Sequence, residues 1–167
     1  MPDISSKLVN LLKCSIEQVR YHYLEGLHTK LNDNTQGTPT RFGYELLRDH
    51  VLPSVLGNHE GEILYWAGKE IARKFPIFSI DELPAFFEEA GWGTLSLEKT
   101  SKKEAFYILT NNTYSMKVIE RSYQLESGFL AEQYQQINGF LTESHAEVKV
   151  KRELVQLHVK WDTKTIV

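Results

Sequence analysis

The sequence predicts a single α+β domain in which N-terminal helices precede two β-hairpins, and the hairpins form an antiparallel sheet with helices packed on one face. Three observations carry that expectation. Apolar residues recur at helical spacing up to about residue 90 and again over 125–141; they alternate with polar ones in three later segments, beside a fourth rich in aromatic and β-branched residues; and no proline follows Pro84 to interrupt a strand ladder. Antiparallel sheets of this kind cover one face and leave the other to water or a partner.

The elements follow in order. Ile16, Val19, Tyr23, Leu24, Leu27 and Leu31 share one stripe of a helix over 14–31, which Gly26 weakens slightly. Residues 32–40 have no apolar side chain and carry Gly37 and Pro39, so they read as a connector. The expected organisation is therefore a helical extension and linker over 1–40 and one α+β domain over 41–167. Past Phe42, the residues Tyr44, Leu47, Val51, Leu52 and Val55 keep helical spacing, with Pro53 forcing a kink or a fresh start. A second helix over 60–75 places Leu64, Ala67, Gly68, Ile71, Ala72 and Phe75 on one face, and Pro76 stops it. Ser79 and Glu82 have capping-box spacing, Phe78 and Leu83 suit a hydrophobic staple, and Gly91 suits the left-handed end of the third helix.

The period then changes. Over 92–100, Leu95 and Leu97 alternate with Thr94, Ser96 and Glu98, and 104–110 is rich in aromatic and β-branched residues; a polar turn over 100–103 joins the two strands. The stretch 111–124 fits neither period. Leu125, Phe129, Ile137, Phe140 and Leu141 outline a fourth core helix. Two alternating strands end the chain, and keeping their apolar residues on one face requires an even connection, with Val150 facing Val155, Val148 facing Leu157 and His158 facing Glu147.

Composition narrows the function. With 167 residues, 41% hydrophobic and 25% charged, the chain can bury a core, and 19 Lys+Arg against 22 Asp+Glu leave a net charge of -3 without the basic excess that nucleic-acid binding uses. One cysteine, Cys14, permits neither an internal disulfide nor a multi-cysteine zinc site. No apolar run reaches membrane-spanning length and no leader peptide is evident, so a cytoplasmic protein without a membrane span is expected. There is no phosphate-binding glycine loop, no Gly-x-Ser-x-Gly and no His-Glu-x-x-His, and the six histidines fall on different elements. No metal, cofactor or catalytic residue is expected. Cys14 is either a surface or packed thiol or, beside a base, a nucleophile; Glu88 and Glu89 point about 100° apart on a helix and cannot flank one atom.

Two groups of residues stand out against that background. Tyr65 and Trp66 lie opposite the core face of the second helix, among Lys69, Glu70 and Arg73, which calls for cover by the rest of the chain or by the second subunit of a homodimer. Phe86, Phe87, Trp92, Phe129 and Phe140, with Gln133 among them, supply the lining of an interior pocket for a small apolar molecule; the alternatives are rings interlocked without a void and an amide at the rim.

Several stretches together carry a family resemblance: Leu64-Tyr65-Trp66-Ala67-Gly68-Lys69, Ala72 to Pro76, Pro84 to Leu95, Gln124-Leu125-Glu126 with Gly128-Phe129 and Ala131-Glu132-Gln133, and Val159-Lys160-Trp161-Asp162. From about Tyr44 onward the chain resembles the YslB-like proteins of low-GC Gram-positive bacteria, a family of uncharacterised function. More distantly, the glycine and aromatic pattern is similar to the 4-vinyl reductase domain, whose superfamily includes haem nitric-oxide sensors and TRAPP-type vesicle-tethering subunits. That resemblance implies an α+β domain that encloses an apolar ligand and dimerises. It implies no catalytic residues, and Tyr123 stands where some relatives carry a cysteine, which argues against zinc and haem ligation.

Overall fold

The computed structural model describes residues 41–110 and 121–167, so the expected helix and linker before residue 41, Cys14, and most of the stretch of ambiguous period lie outside the described residues. The helices are α1 (Arg41–Leu46), α2 (Leu52–Leu56), α3 (Glu60–Lys74), α4 (Leu83–Glu89) and α5 (Gln124–Asn138). The strands are β1 (Thr94–Thr100), β2 (Glu104–Thr110), β3 (Phe140–Lys149) and β4 (Leu154–Ile166). All pairings are antiparallel in the order β1-β2-β4-β3, which is the expected α+β sheet with helices against it.

α1 and α2 are joined by one wide helical turn, Leu47–Val51, and that turn rearranges the expected core stripe. Leu47, Val51 and Val55 are exposed, whereas Tyr44, Leu52 and Leu56 pack on the core and Arg48 is 2% exposed. A spacing of four drifts around an ordinary helix, and the wider turn in the middle returns positions 44, 48, 52 and 56 to one side.

α5 is the centre of the described core. Ten consecutive residues, Leu125 to Tyr134, are buried, so the helix is covered all round rather than along one stripe. It lies close against α3 because neither helix has a side chain at the crossing: a Cβ on Gly68 would sit 2.0 Å from the Leu125 carbonyl oxygen, and one on Gly128 would sit 1.9 Å from that of Tyr65. The expected fourth helix is too long at its end. Gly139 takes a left-handed conformation, φ 72°, and stops it, so Phe140 and Leu141 open β3 instead.

Ser79 and Glu82 form the expected capping box, at the short helical turn that leads into α4, and Gly91 has the expected positive φ. β2 occupies the expected residues, with Ala105, Tyr107 and Leu109 buried toward the helices. β1 departs from its pattern, because a bulge between Leu97 and Lys99 leaves Leu97 exposed while Leu95 stays in the core. The last hairpin has the even connection, residues 150–153, but its register is two residues from the expected one: Val148 faces Val155, Ala146 faces Leu157, and His158 faces His145 rather than Glu147. Val150 lies in the turn, where Glu153 closes the connection at φ 51°. Among the described residues no helix is long and apolar enough to cross a membrane.

Candidate functional site

Four of the six residues expected around an interior pocket meet directly. Phe86 stacks on Phe129 at 4.3 Å between centroids, Trp92 meets Phe86, Phe87 and Phe129 edge-on at 5.7, 5.0 and 5.3 Å, and Phe87 meets Phe129 at 6.0 Å. α4 supplies the two phenylalanines, the turn after it supplies Trp92, and α5 supplies Phe129, so the rings tie three segments together at preferred aromatic geometries. Phe140 packs on the same core from the start of β3.

Gln133, one turn beyond Phe129, is fully buried and engaged at both ends of its amide. Its oxygen accepts from the Ile77 N–H at 3.1 Å, and its nitrogen donates to the Phe75 and Ala72 carbonyls at 2.8 and 3.4 Å. Pro76 ends α3, and Gln133 bonds backbone groups on both sides of that break. Gln136 is exposed and donates to Glu132.

Tyr65 and Trp66, adjacent on α3, have different surroundings. The Tyr65 hydroxyl donates to the Glu143 carboxylate and accepts from the Ser144 N–H at 3.4 Å, which fixes α3 beside β3; burial, then the Glu143 carboxylate, raises its pKa well above the ordinary tyrosine value. The Lys69 side chain is buried, with Nζ 3.6 Å from Glu143 and 5.4 and 5.5 Å from the Tyr65 and Trp66 ring centres. Trp66 itself is 61% exposed, and Ile63, one turn earlier, is exposed as well.

A buried polar cluster went unseen in the sequence. Arg48 Nη2 donates to the Ser122 carbonyl at 2.7 Å and to Glu126 at 3.0 and 3.3 Å, while Arg121 grips Asp49 with two bonds of 2.5 Å. Burial dominates at Glu126 and raises its pKa, with Arg48 opposing. The signal was present in the four-residue spacing Tyr44, Arg48, Leu52, Leu56, which puts a cation in an otherwise apolar stripe.

The remaining features lie on the sheet. On its outer face His158 stacks on Phe106 at 4.1 Å and pairs with Glu104 at 3.0 Å. An open groove of about 520 Å³ lies at the β3–β4 turn between Ile108, Val148, Lys151, Arg152 and Leu154, away from the aromatic cluster. Among the described residues no group of three His, Cys, Asp or Glu side chains could hold a metal ion. The aromatic cluster with Gln133 offers apolar contact and fixed hydrogen bonds.

Comparison with known proteins agrees with this architecture. The family described as "Protein of unknown function (DUF2507)" matches residues 41–160. "Uncharacterized protein YslB" from Bacillus subtilis (strain 168) is 47% identical over 128 residues, covering 74% of this chain and 85% of that protein. Two solved structures share the fold at low identity. A vinyl-4-reductase family protein from Methanocaldococcus jannaschii superposes with a TM-score of 0.54 at 17% identity, over 76% of this chain and 85% of that one. An Fe(II) unliganded H-NOX protein variant from K. algicida gives 0.51 at 12% identity, over 77% of each chain. With the family matched over residues 41–160 and YslB 47% identical over 128 residues, this chain belongs to the DUF2507 family and is a relative of YslB.

Proposed function

We propose that this protein is a non-catalytic, cytoplasmic interaction domain that works as a homodimer through the outer side of α3. The observation that carries the reading is Trp66: its ring stands in solvent at 61% exposure, while the residues on either side are committed, Tyr65 to Glu143 and Ser144 and Lys69 to Glu143. A rigid aromatic on a braced helix is what centres an interface, since its large apolar area is desolvated on association at little conformational cost. Light scattering on the full chain tests this. A species of about twice 19.3 kDa at micromolar concentration is expected, and Trp66→Ala should weaken it by at least about tenfold. A mass of one chain throughout would refute the reading.

A second reading, a small apolar molecule held among Phe86, Phe87, Trp92, Phe129, Gln133 and Phe140, draws support from the concentration of rings there and from the shared fold with a vinyl-4-reductase family protein. On this reading the rings part to admit the ligand, and fatty acids, porphyrins or simple aromatics would raise the melting temperature.

A further inference from the structure

The inference rests on the dimer just proposed and names the surfaces that join. Among the described residues β3 is an edge strand, paired only with β4. In an antiparallel ladder, successive residues turn their backbone N–H and C=O alternately toward the neighbouring strand and away from it. Two contacts establish the alternation here: the Thr142 N–H donates to Gln135 at 3.3 Å and the Ser144 N–H to Tyr65 at 3.4 Å, and both acceptors lie on helices. Thr142, Ser144, Ala146 and Val148 therefore face outward. α5 and α3 cap the first two positions. Among the described residues no side chain takes up the Ala146 or Val148 N–H, so that half of the edge is open.

The opposite edge is less suited to pairing. β1 is bulged between Leu97 and Lys99, whereas β3 keeps a regular register from Leu141 to Lys149. The charges on β3 also complement themselves. Glu143, His145, Glu147 and Lys149 share the outer face of the sheet, and antiparallel pairing of two such strands about Ala146 sets His145 opposite Glu147 and Glu143 opposite Lys149, each pair occurring twice. Centring on His145 or Glu147 instead would bring glutamates face to face. Tyr65 and Lys69 tie the middle of α3, where Trp66 lies, to Ser144 and Glu143, so the exposed indole stands beside this edge, where a second copy brings its exposed Val150.

We propose that β3 pairs antiparallel with β3 of a second copy about a two-fold axis at Ala146, joining two sheets into one continuous sheet with Trp66 at its flank. The long Ser144 contact to Tyr65 is the one that the second copy displaces.

Sedimentation equilibrium on the full chain and its variants tests the proposal. Glu147→Lys replaces the carboxylate opposite His145 with a cation and should weaken the dimer about tenfold, and adding His145→Glu should restore it, because the new pair is opposite in charge. Ala146→Pro removes the central outward N–H, is tolerated on an edge strand, and should leave the chain folded and monomeric. Loss with Glu147→Lys and recovery in the double variant is the expected result. Loss without recovery overturns the register, and so the proposal. A dimer that responds to Trp66→Ala but not to Glu147→Lys overturns the strand pairing while leaving the α3 interface standing, and a wild-type monomer overturns both.

Discussion

Adding one methyl group at Gly128 should damage the fold severely. The new Cβ would lie 1.9 Å from the Tyr65 carbonyl oxygen and 2.8 Å from its carbon, against an ordinary contact of 3.4 Å, so α3 and α5 would have to part by about 1.5 Å. Both atoms belong to the backbone of a helix, which cannot swing aside as a side chain would. Overpacking costs about 1–3 kcal/mol and more where nothing yields, while Gly→Ala within a helix returns up to about 1 kcal/mol of propensity, so Gly128→Ala should lose about 2–4 kcal/mol. For a domain whose whole stability is about 5–15 kcal/mol, that is a large part. Urea denaturation followed by circular dichroism reads it as a midpoint lowered by about 1–2 M at unchanged slope. Gly61→Ala in α3 is the control, since its Cβ would meet only Gln124 Cγ at 3.7 Å, and it should be neutral or stabilising. If Gly128→Ala were also neutral or stabilising, the close helix crossing would be wrong.

Other substitutions probe the buried polar groups. Gln133→Leu is more apolar yet should lose about 1–3 kcal/mol, because it strands the buried Ile77 N–H; an unchanged melting temperature would contradict the latch. Arg48→Met leaves the Glu126 carboxylate buried without its partner and should cost about 3–5 kcal/mol, and adding Glu126→Met should recover much of that in the same denaturation assay; equal losses would argue against the pair. In alkali, burial pushes Tyr123 up to about 12 and raises Tyr107 and Tyr134 as well. A folded pKa above the unfolded value of 10 contributes stability that is complete below pH 10 and lost as pH rises through about 12. Phenolate absorbance should therefore appear together with loss of helical signal, and Tyr123→Phe should flatten that decline; ionisation of these groups in an intact fold would refute their burial.

Much of the fold was legible because local signals agreed with it. Ser79 and Glu82 marked a helix start, Gly91 a helix end, and the aromatic and β-branched run over 104–110 a strand, and each of these is decided within a few residues. The misreadings arose where a distant neighbour decides. Nothing local to Leu97 announces a bulge, which is a property of how β1 pairs with β2. Helical spacing carried the fourth helix through Gly139, although a glycine near a helix end is itself a stop signal. Arg48 hid because a stripe read by hydrophobicity skips a cation, although its position repeats Tyr44, Leu52 and Leu56. Among the site residues, Phe86, Phe87 and Trp92 were legible as a group because they lie close together in the sequence, and Phe129 joins them from α5. Gln133 was legible only as a buried amide; its task depends on the break after α3, 56 residues away.

Native mass spectrometry of the full chain decides whether it acts as a pair of subunits joined beside Trp66, because subunit number and bound molecules are read in one spectrum. The predicted result is a dominant species of two 19.3 kDa chains with no additional mass, shifting to single chains in Trp66→Ala. A single chain at every concentration would contradict it, and a single chain carrying a constant extra mass would replace the paired interaction domain with a ligand-holding one.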